Sequence, residues 1–396
     1  MILALILRLL YIGWGGIDYS DPDEAVYETI ARNFHNGNGL ILSPCRRASF
    51  PPLYPLFLSG FIFLGMKLRP AVPIIQSVLG ALSCLWIAAI TRLTFSSLPP
   101  RRHRALMLIT GVMAAAYPPL IFYGSVVMTE TLFIFLFLGG IYCFFKREES
   151  RFRQRWLLLS GALFALGVLC RPALLPVIII GPLWLLIADR YRGIKSAACF
   201  IAAFFLILFP WQWRNFKLFG RIIPVTTQSG NILYLANNPV ADGGTVSIKK
   251  FLDAGIYHLG NEEDELIYDR HYRRQAKIFI RANPARFFVL SLKRLIWFYH
   301  FDLHSNFIGF SVFLWLLILA AIIGAYYSRA YWKKTGFLIC LIGAFTCLHM
   351  IFPPEGRYRL PIMPLFFVLA SLPLLRLGEY FIKRFDSGEY FHSGES

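Results

Sequence analysis

Five acids, Asp18, Asp21, Asp23, Glu24 and Glu28, fall within eleven positions of the stretch "DYSDPDEAVYETIARNF" (residues 18–34), and the next acid along the chain is Glu130. Carboxylates gathered this way can accept a proton from a reacting group, hold a metal ion, or simply favour the start of a helix. Arg171 in "LCRPALLP" and Arg357, Tyr358 and Arg359 in "PPEGRYRLP" are the cationic counterparts, each at the end of an apolar run. Arginine there either anchors a helix at the membrane surface or binds an anion.

Composition sets the class of element that must position them. With 57% hydrophobic residues, 16% charged residues and a mean hydropathy of +0.56, the chain reads as an all-α polytopic membrane protein. The net charge of +18 comes from short Lys/Arg clusters between apolar runs, a pattern of membrane topology rather than of nucleic-acid binding. Six of the seven cysteines lie inside apolar runs and only Cys45 sits in a polar loop, which excludes a disulfide framework or a zinc-like pair. The eight histidines are scattered, and the carboxylates form no recognisable metal motif, so neither a metal nor a cofactor is expected.

Apolar runs predict about ten spans, at residues 1–17, 71–90, 105–123, 126–145, 156–170, 173–188, 196–213, 307–327, 336–352 and 360–377. The first is short and carries Arg8 mid-segment, and no small-x-small cleavage site follows it. The run "PPLYPLFLSGFIFLGM" (residues 51–66) decides the sidedness. If it does not cross, but forms a re-entrant or interfacial helix, then "RRHR" (101–104), "KREESRFRQR" (146–155), "RYRGIK" (190–195) and "RAYWKK" (329–334) all face the cytoplasm. That reading leaves a first outer loop at 18–70 and a large outer loop at 214–306, within one integral domain spanning 1–396.

Local chemistry fills in the loops. In "DPDEAVYETIARNF", Pro22 suits the first helical turn, Asp21 can cap it, and Ala25, Ile30 and Phe34 can pack while Tyr27 and Ala31 complete an apolar face. The dipole accounts for one or two of the acids, not for five. In the second loop Asn261 reads as an N-cap, four acids follow, and Pro284 stops the helix. Residues 285–299 mix aromatics with Lys293 and Arg294, as an interfacial helix does. Glu130, at the edge of a span, costs a few kcal/mol there unless a partner or polar cavity meets it. On this topology it shares the outer side with the acidic stretch and the three arginines, which points to one polar site at the membrane surface.

The pieces "PDEAVYETIARNFHNGNGL", "FPPLYPLFLSGF", "VVMTETLF", "RPALLP", "PWQWRNFKLFGRIIPVTTQSGNILYLANNP", "YRRQAKIFIRANPARF" and "EGRYRLPIMPL", in this order over about residues 11–377, resemble glycosyltransferase family 39. This family includes protein O-mannosyltransferases and aminoarabinose transferases acting on lipid A, all of the C-type membrane glycosyltransferase fold. The resemblance implies transfer of a sugar from a polyprenyl-phosphate carrier to a lipid, glycan or protein acceptor outside the cytoplasmic membrane. It makes Asp23 of the Asp23–Glu24 pair the base. The aminoarabinose branch carries a basic residue just before "PPLY", where this chain has Ser49 and Phe50. The residue chemistry agrees with those roles. A carboxylate takes the acceptor's proton in an inverting displacement, while Arg171, Arg357 and Arg359, with Tyr358, stabilise the departing phosphate and Glu130 orients an arginine or the acceptor.

Other classes make different demands. A secondary transporter calls for paired repeats and coupling acids near the midplane, neither of which is visible. A ligase or polymerase of lipid-linked glycans shares the chemistry, and a non-catalytic envelope-assembly protein would not need Asp23.

Overall fold

A computed structural model describes residues 1–16, 22–189, 192–244, 248–256, 264–300 and 308–386; Asp18, Asp21 and Asn261 lie outside them. The described residues form helices and no named strand, with one isolated β-bridge between Ser43 and Arg46. Helix α1 (Ile2–Tyr11) runs into a π turn at Ile12–Gly16, and is followed by α2 (Pro22–His35) and the short α3 (Leu53–Phe63). The long α4 (Leu68–Thr94) precedes α5 (Pro100–Ala116) and α6 (Pro118–Ser125). Helices α7 (Glu130–Lys146), α8 (Arg153–Cys170), α9 (Val177–Asp189) and α10 (Gly193–Phe219) complete the first part of the bundle. Four helices follow outside it, α11 (Ser229–Ala236), α12 (Ile248–Asp253), α13 (Glu265–Ala282) and α14 (Pro284–Tyr299). The chain then returns through α15 (Ile308–Tyr327), α16 (Trp332–Ile351), a 3-10 turn at Gly356–Ile362, and α17 (Met363–Asp386).

A helix stands at each of the ten apolar runs, but five are long and apolar enough to cross a bilayer, or six if the bent pair α5–α6 counts as one span. The single span read at 105–123 is broken by 52° between α5 and α6. Pro118 and Pro119 withhold two backbone donors there, which ends α5 and restarts the chain with proline in its first turn. Helix α3 has 11 residues, about 16 Å of rise, and is too short to cross alone. At the other extreme, α10 runs past the predicted 213 to Phe219 and ends on Gly220, whose φ of 63° is the left-handed C-terminal cap that glycine adopts without strain.

Helix α7 is apolar on every side and therefore central, with Phe133, Phe137, Leu138, Ile141, Phe144 and Phe145 fully buried between α4 and α8. Because lipid is as apolar as the side chains, close approach of small residues drives such packing. A Cβ on Gly161 of α8 would lie 2.4 Å from the Phe200 carbonyl of α10, and one on Gly324 of α15 would lie 1.8 Å from that of Leu369 in α17. Arg8, the charge inside the first apolar run, is buried against Gly80 of α4 and Gly124 of α6 and donates to the Ala4 carbonyl at 2.9 Å.

At the end of the bundle away from α2 and α13, the basic clusters of the sequence meet. Arg92 pairs with Glu149 at 3.0 Å, Lys334 with Glu148 at 3.4 Å and Arg102 with Glu379 at 2.9 Å, while Arg147 and Arg153 both reach Asp189. Clusters far apart in sequence thus share one end, as the reading of residues 51–66 requires.

Candidate active site

Asp23 sits in the first turn of α2, with its side chain 37% exposed, and its Oδ2 accepts from Arg357 Nη2 at 2.9 Å. Arg357 also donates from Nε to Glu355 Oε2 at 2.6 Å, so two carboxylates share one guanidinium. Next to it, Arg171, which follows the last residue of α8, donates from Nη1 to Glu130 Oε1 at 2.5 Å and to Thr129 Oγ1 at 3.1 Å. Glu130 is completely buried at the start of α7. The ring of Tyr358 joins the two pairs: the guanidinium carbons of Arg171 and Arg357 lie 5.0 Å and 5.4 Å from its centroid, within cation–π range. The chain breaks that place these groups are all helix ends, so their side chains converge where α2, α7, α8 and the 3-10 turn meet.

Glu24 and Arg359, grouped with this site in the sequence, face elsewhere. Glu24 is turned about 100° from Asp23 on the helix, and there it makes a two-pronged ion pair with Arg69, with 2.8 Å between Oε1 and Nε. Arg359 is buried and donates from Nη1 to the Phe298 and His300 carbonyls at 2.8 and 2.6 Å, which satisfies the end of α14. Glu28 pairs with Arg32 one turn on, at 2.6 Å on the surface.

Sequence reasoning missed several residues. Arg69, in "KLRP", and Glu355, inside "PPEGRYR", had been given no role. Tyr27, assigned to packing, stands over Tyr54 with ring centroids 5.2 Å apart and against Phe50 at 6.0 Å. Burial, with Asp23 beside it, pushes its phenol well above the usual range, so it stays neutral and is no base. Tyr54 in turn donates to Gln76 Oε1 at 2.9 Å, and Gln76 Nε2 donates to the Val126 carbonyl at 2.6 Å, fixing the break before α7 that presents Glu130. Glu265 had been read only as one of the four acids at a helix start. Its buried carboxylate accepts from Arg47 N, Ala48 N, Ser49 Oγ and Thr227 Oγ1 at 2.7–3.1 Å. Among the described residues no group of three or more His, Cys, Asp or Glu side chains could hold a metal ion.

An acid joined to one arginine beside a buried arginine–glutamate pair, all at helix ends of one bundle, is the arrangement to compare with known proteins. Residues 49–213 match the family profile described as dolichyl-phosphate-mannose-protein mannosyltransferase. That match covers the first part of the bundle, from just before α3 into α10. No curated protein matches it. Among solved structures it is similar to the archaeal oligosaccharyltransferase AglB from Archaeoglobus fulgidus in complex with an inhibitory peptide and a dolichol-phosphate (TM-score 0.60, 15% identity, 96% of this chain and 51% of that one). The apo form of the Archaeoglobus fulgidus oligosaccharyltransferase gives 0.59, 15%, 96% and 52%. ArnT from Cupriavidus metallidurans in the apo state gives 0.53, 13%, 95% and 59%. The chain thus spans about half the length of the oligosaccharyltransferases, and at these identities the likeness is one of fold: the C-type fold of membrane glycosyltransferases.

Proposed function

We propose that this protein acts as a member of the family whose profile it matches and moves a sugar from a polyprenyl-phosphate-linked donor to an acceptor on the outer side of the cytoplasmic membrane, with inversion at the sugar carbon and Asp23 as the base. The observation that carries the reading is the partly exposed Asp23 held 2.9 Å from Arg357, beside the buried Arg171–Glu130 pair. An acceptor hydroxyl or amine forms its bond to the sugar carbon as the bond to the phosphate oxygen breaks. The electron pair leaves with the lipid phosphate, and the acceptor's proton goes to Asp23. The phosphate gains a charge as it departs, so Arg357 and Arg171 interact with it more strongly in the transition state than before it, which lowers the barrier. As Arg357 turns to the phosphate it releases Asp23 to the acceptor, because one guanidinium is shared among the anions.

The two arginines of "EGRYR" separate chemistry from architecture. Arg357→Ala is expected to cut transfer by a factor of about 10² to 10³ at normal protein level, the usual worth of a charge-stabilising donor. Arg359→Ala is expected instead to lower stability by about 1 to 3 kcal/mol, since it removes the donor to two carbonyls at the end of α14, the Phe298 one buried. Transfer from a purified polyprenyl-phosphate sugar, read alongside thermal melting in detergent, checks both. Normal turnover in Arg357→Ala would leave that residue an anchor.

The topology follows from the same reading: residues 18–70 and 214–306 cover the site on the outer side, as parts of a single integral domain. In a background without the native cysteines, a probe cysteine at position 242 should be labelled by an impermeant reagent applied from outside, and probes at 102 and 150 should not. Labelling at 150 from outside reverses the assignment.

A further inference from the structure

Helix α13 is two-faced. Tyr268, Tyr272, Ala276 and Phe279 are buried, the first three in a small core with Tyr234 of α11, and Asp264 caps the start by accepting from Leu266 N and Ile267 N at 2.9 and 3.3 Å. At about 100° per residue, Ile267, Arg270, Arg274, Lys277, Ile278 and Arg281 fall within an arc of about 120° on the opposite face, and all are exposed. None of these four cations makes an ion pair with a described residue, and the two isoleucines are 62% and 51% exposed in their midst. A cationic face with apolar residues embedded in it suits the boundary between headgroups and acyl chains. Continuity points the same way. Only Asn283 separates α13 from α14, which exposes Phe288, Val289, Leu292 and Ile296 along one side, an apolar surface that lipid covers in a membrane protein.

We propose that the outward face of α13 docks on anionic phospholipid headgroups of the bilayer and so holds this helix in place beside the site. The link to the site is short. Glu265, in the first turn of α13, clamps Arg47–Ser49 through three donors, and the adjoining Phe50 packs on Tyr27 behind Asp23. Anionic lipid therefore sets the position of the wall on which Tyr27 rests.

The test uses the full chain in nanodiscs of phosphatidylcholine alone or rich in phosphatidylglycerol. A water-soluble amine reagent reports Lys277, with the exposed Lys333 as internal reference. Lys277 is expected to react at least about fivefold more slowly in the anionic discs, since a basic residue at such a surface contributes on the order of 1 kcal/mol. The triple replacement Arg270→Gln, Arg274→Gln and Arg281→Gln should abolish that protection, and the same three positions changed to Lys should keep it. Equal Lys277 rates in both discs overturn the proposal. So does protection by soluble polyglutamate in neutral discs without any effect of phosphatidylglycerol, which would assign the face to an acidic protein. Transfer should rise with phosphatidylglycerol in the wild type and not in the Gln variant. That arm rests on the glycosyl-transfer reading, whereas the footprint does not: protection without transfer upholds the docking and counts against the reaction.

Discussion

Replacing Asp23 by Asn is expected to slow sugar transfer by a factor of about 10² to 10⁴, the usual worth of a positioned base, while leaving the protein folded. The amide keeps the shape of the carboxylate, and its oxygen can still accept from Arg357 Nη2 at the 2.9 Å seen for Asp23. What disappears is the place for the acceptor's proton. Two controls narrow the interpretation. Glu28→Gln removes a charge from the same helix but disturbs only a surface pair with Arg32, worth about 0.3 to 0.5 kcal/mol, so transfer should hold. Glu24→Gln weakens the grip of Arg69 and should act on stability before turnover. The measurement is the initial rate from a purified polyprenyl-phosphate sugar, with size exclusion in detergent as the folding check. A folded Asp23→Asn enzyme working at the wild-type rate would make the carboxylate structural and remove the base from the mechanism.

The members of this site were legible because membrane topology is a strong constraint: once residues 51–66 are taken not to cross, the charges at span ends sort themselves to two sides. Asp23, Glu130, Arg171, Arg357 and Tyr358 do meet. Direction was not legible. In a 3-10 turn successive residues are about 120° apart, so two arginines flanking a tyrosine point different ways, and Arg359 serves the end of α14 while Arg357 meets Asp23. The same geometry separates Glu24 from its sequence neighbour. Glu265 was hidden for another reason. Its donors lie near residues 47–49 and 227, far away along the chain, and no local pattern marks a carboxylate that neutral groups will satisfy. Apolar runs do not reveal breaks such as that at Pro118, so the single run at 105–123 holds two helices.

Glu130→Leu is expected to be the most destabilising single change in the site, at about 3 to 5 kcal/mol, because it takes the buried counter-charge from a guanidinium that is itself mostly buried. Glu130 is fully buried and its Oε1 lies 2.5 Å from Arg171 Nη1, whose side chain is only 17% exposed. The cost comes from the orphaned charge more than from the lost attraction, so removing both partners should recover most of it. The double variant Glu130→Leu, Arg171→Met should melt nearer the wild type than Glu130→Leu alone, since a buried pair replaced by apolar groups of similar volume is often close to neutral. Transfer should not return with stability. The phosphate would have lost a cation in the double variant, and Tyr358 would have lost the guanidinium 5.0 Å from its ring. Melting temperature and turnover measured on the wild type, both single variants and the double variant therefore separate the two jobs of Arg171. If the double variant regains both, the pair is a packing device and the departing phosphate relies on Arg357. If it regains neither, Glu130 acts through Thr129 and the start of α7 rather than through its arginine, and the account of the pair given above fails.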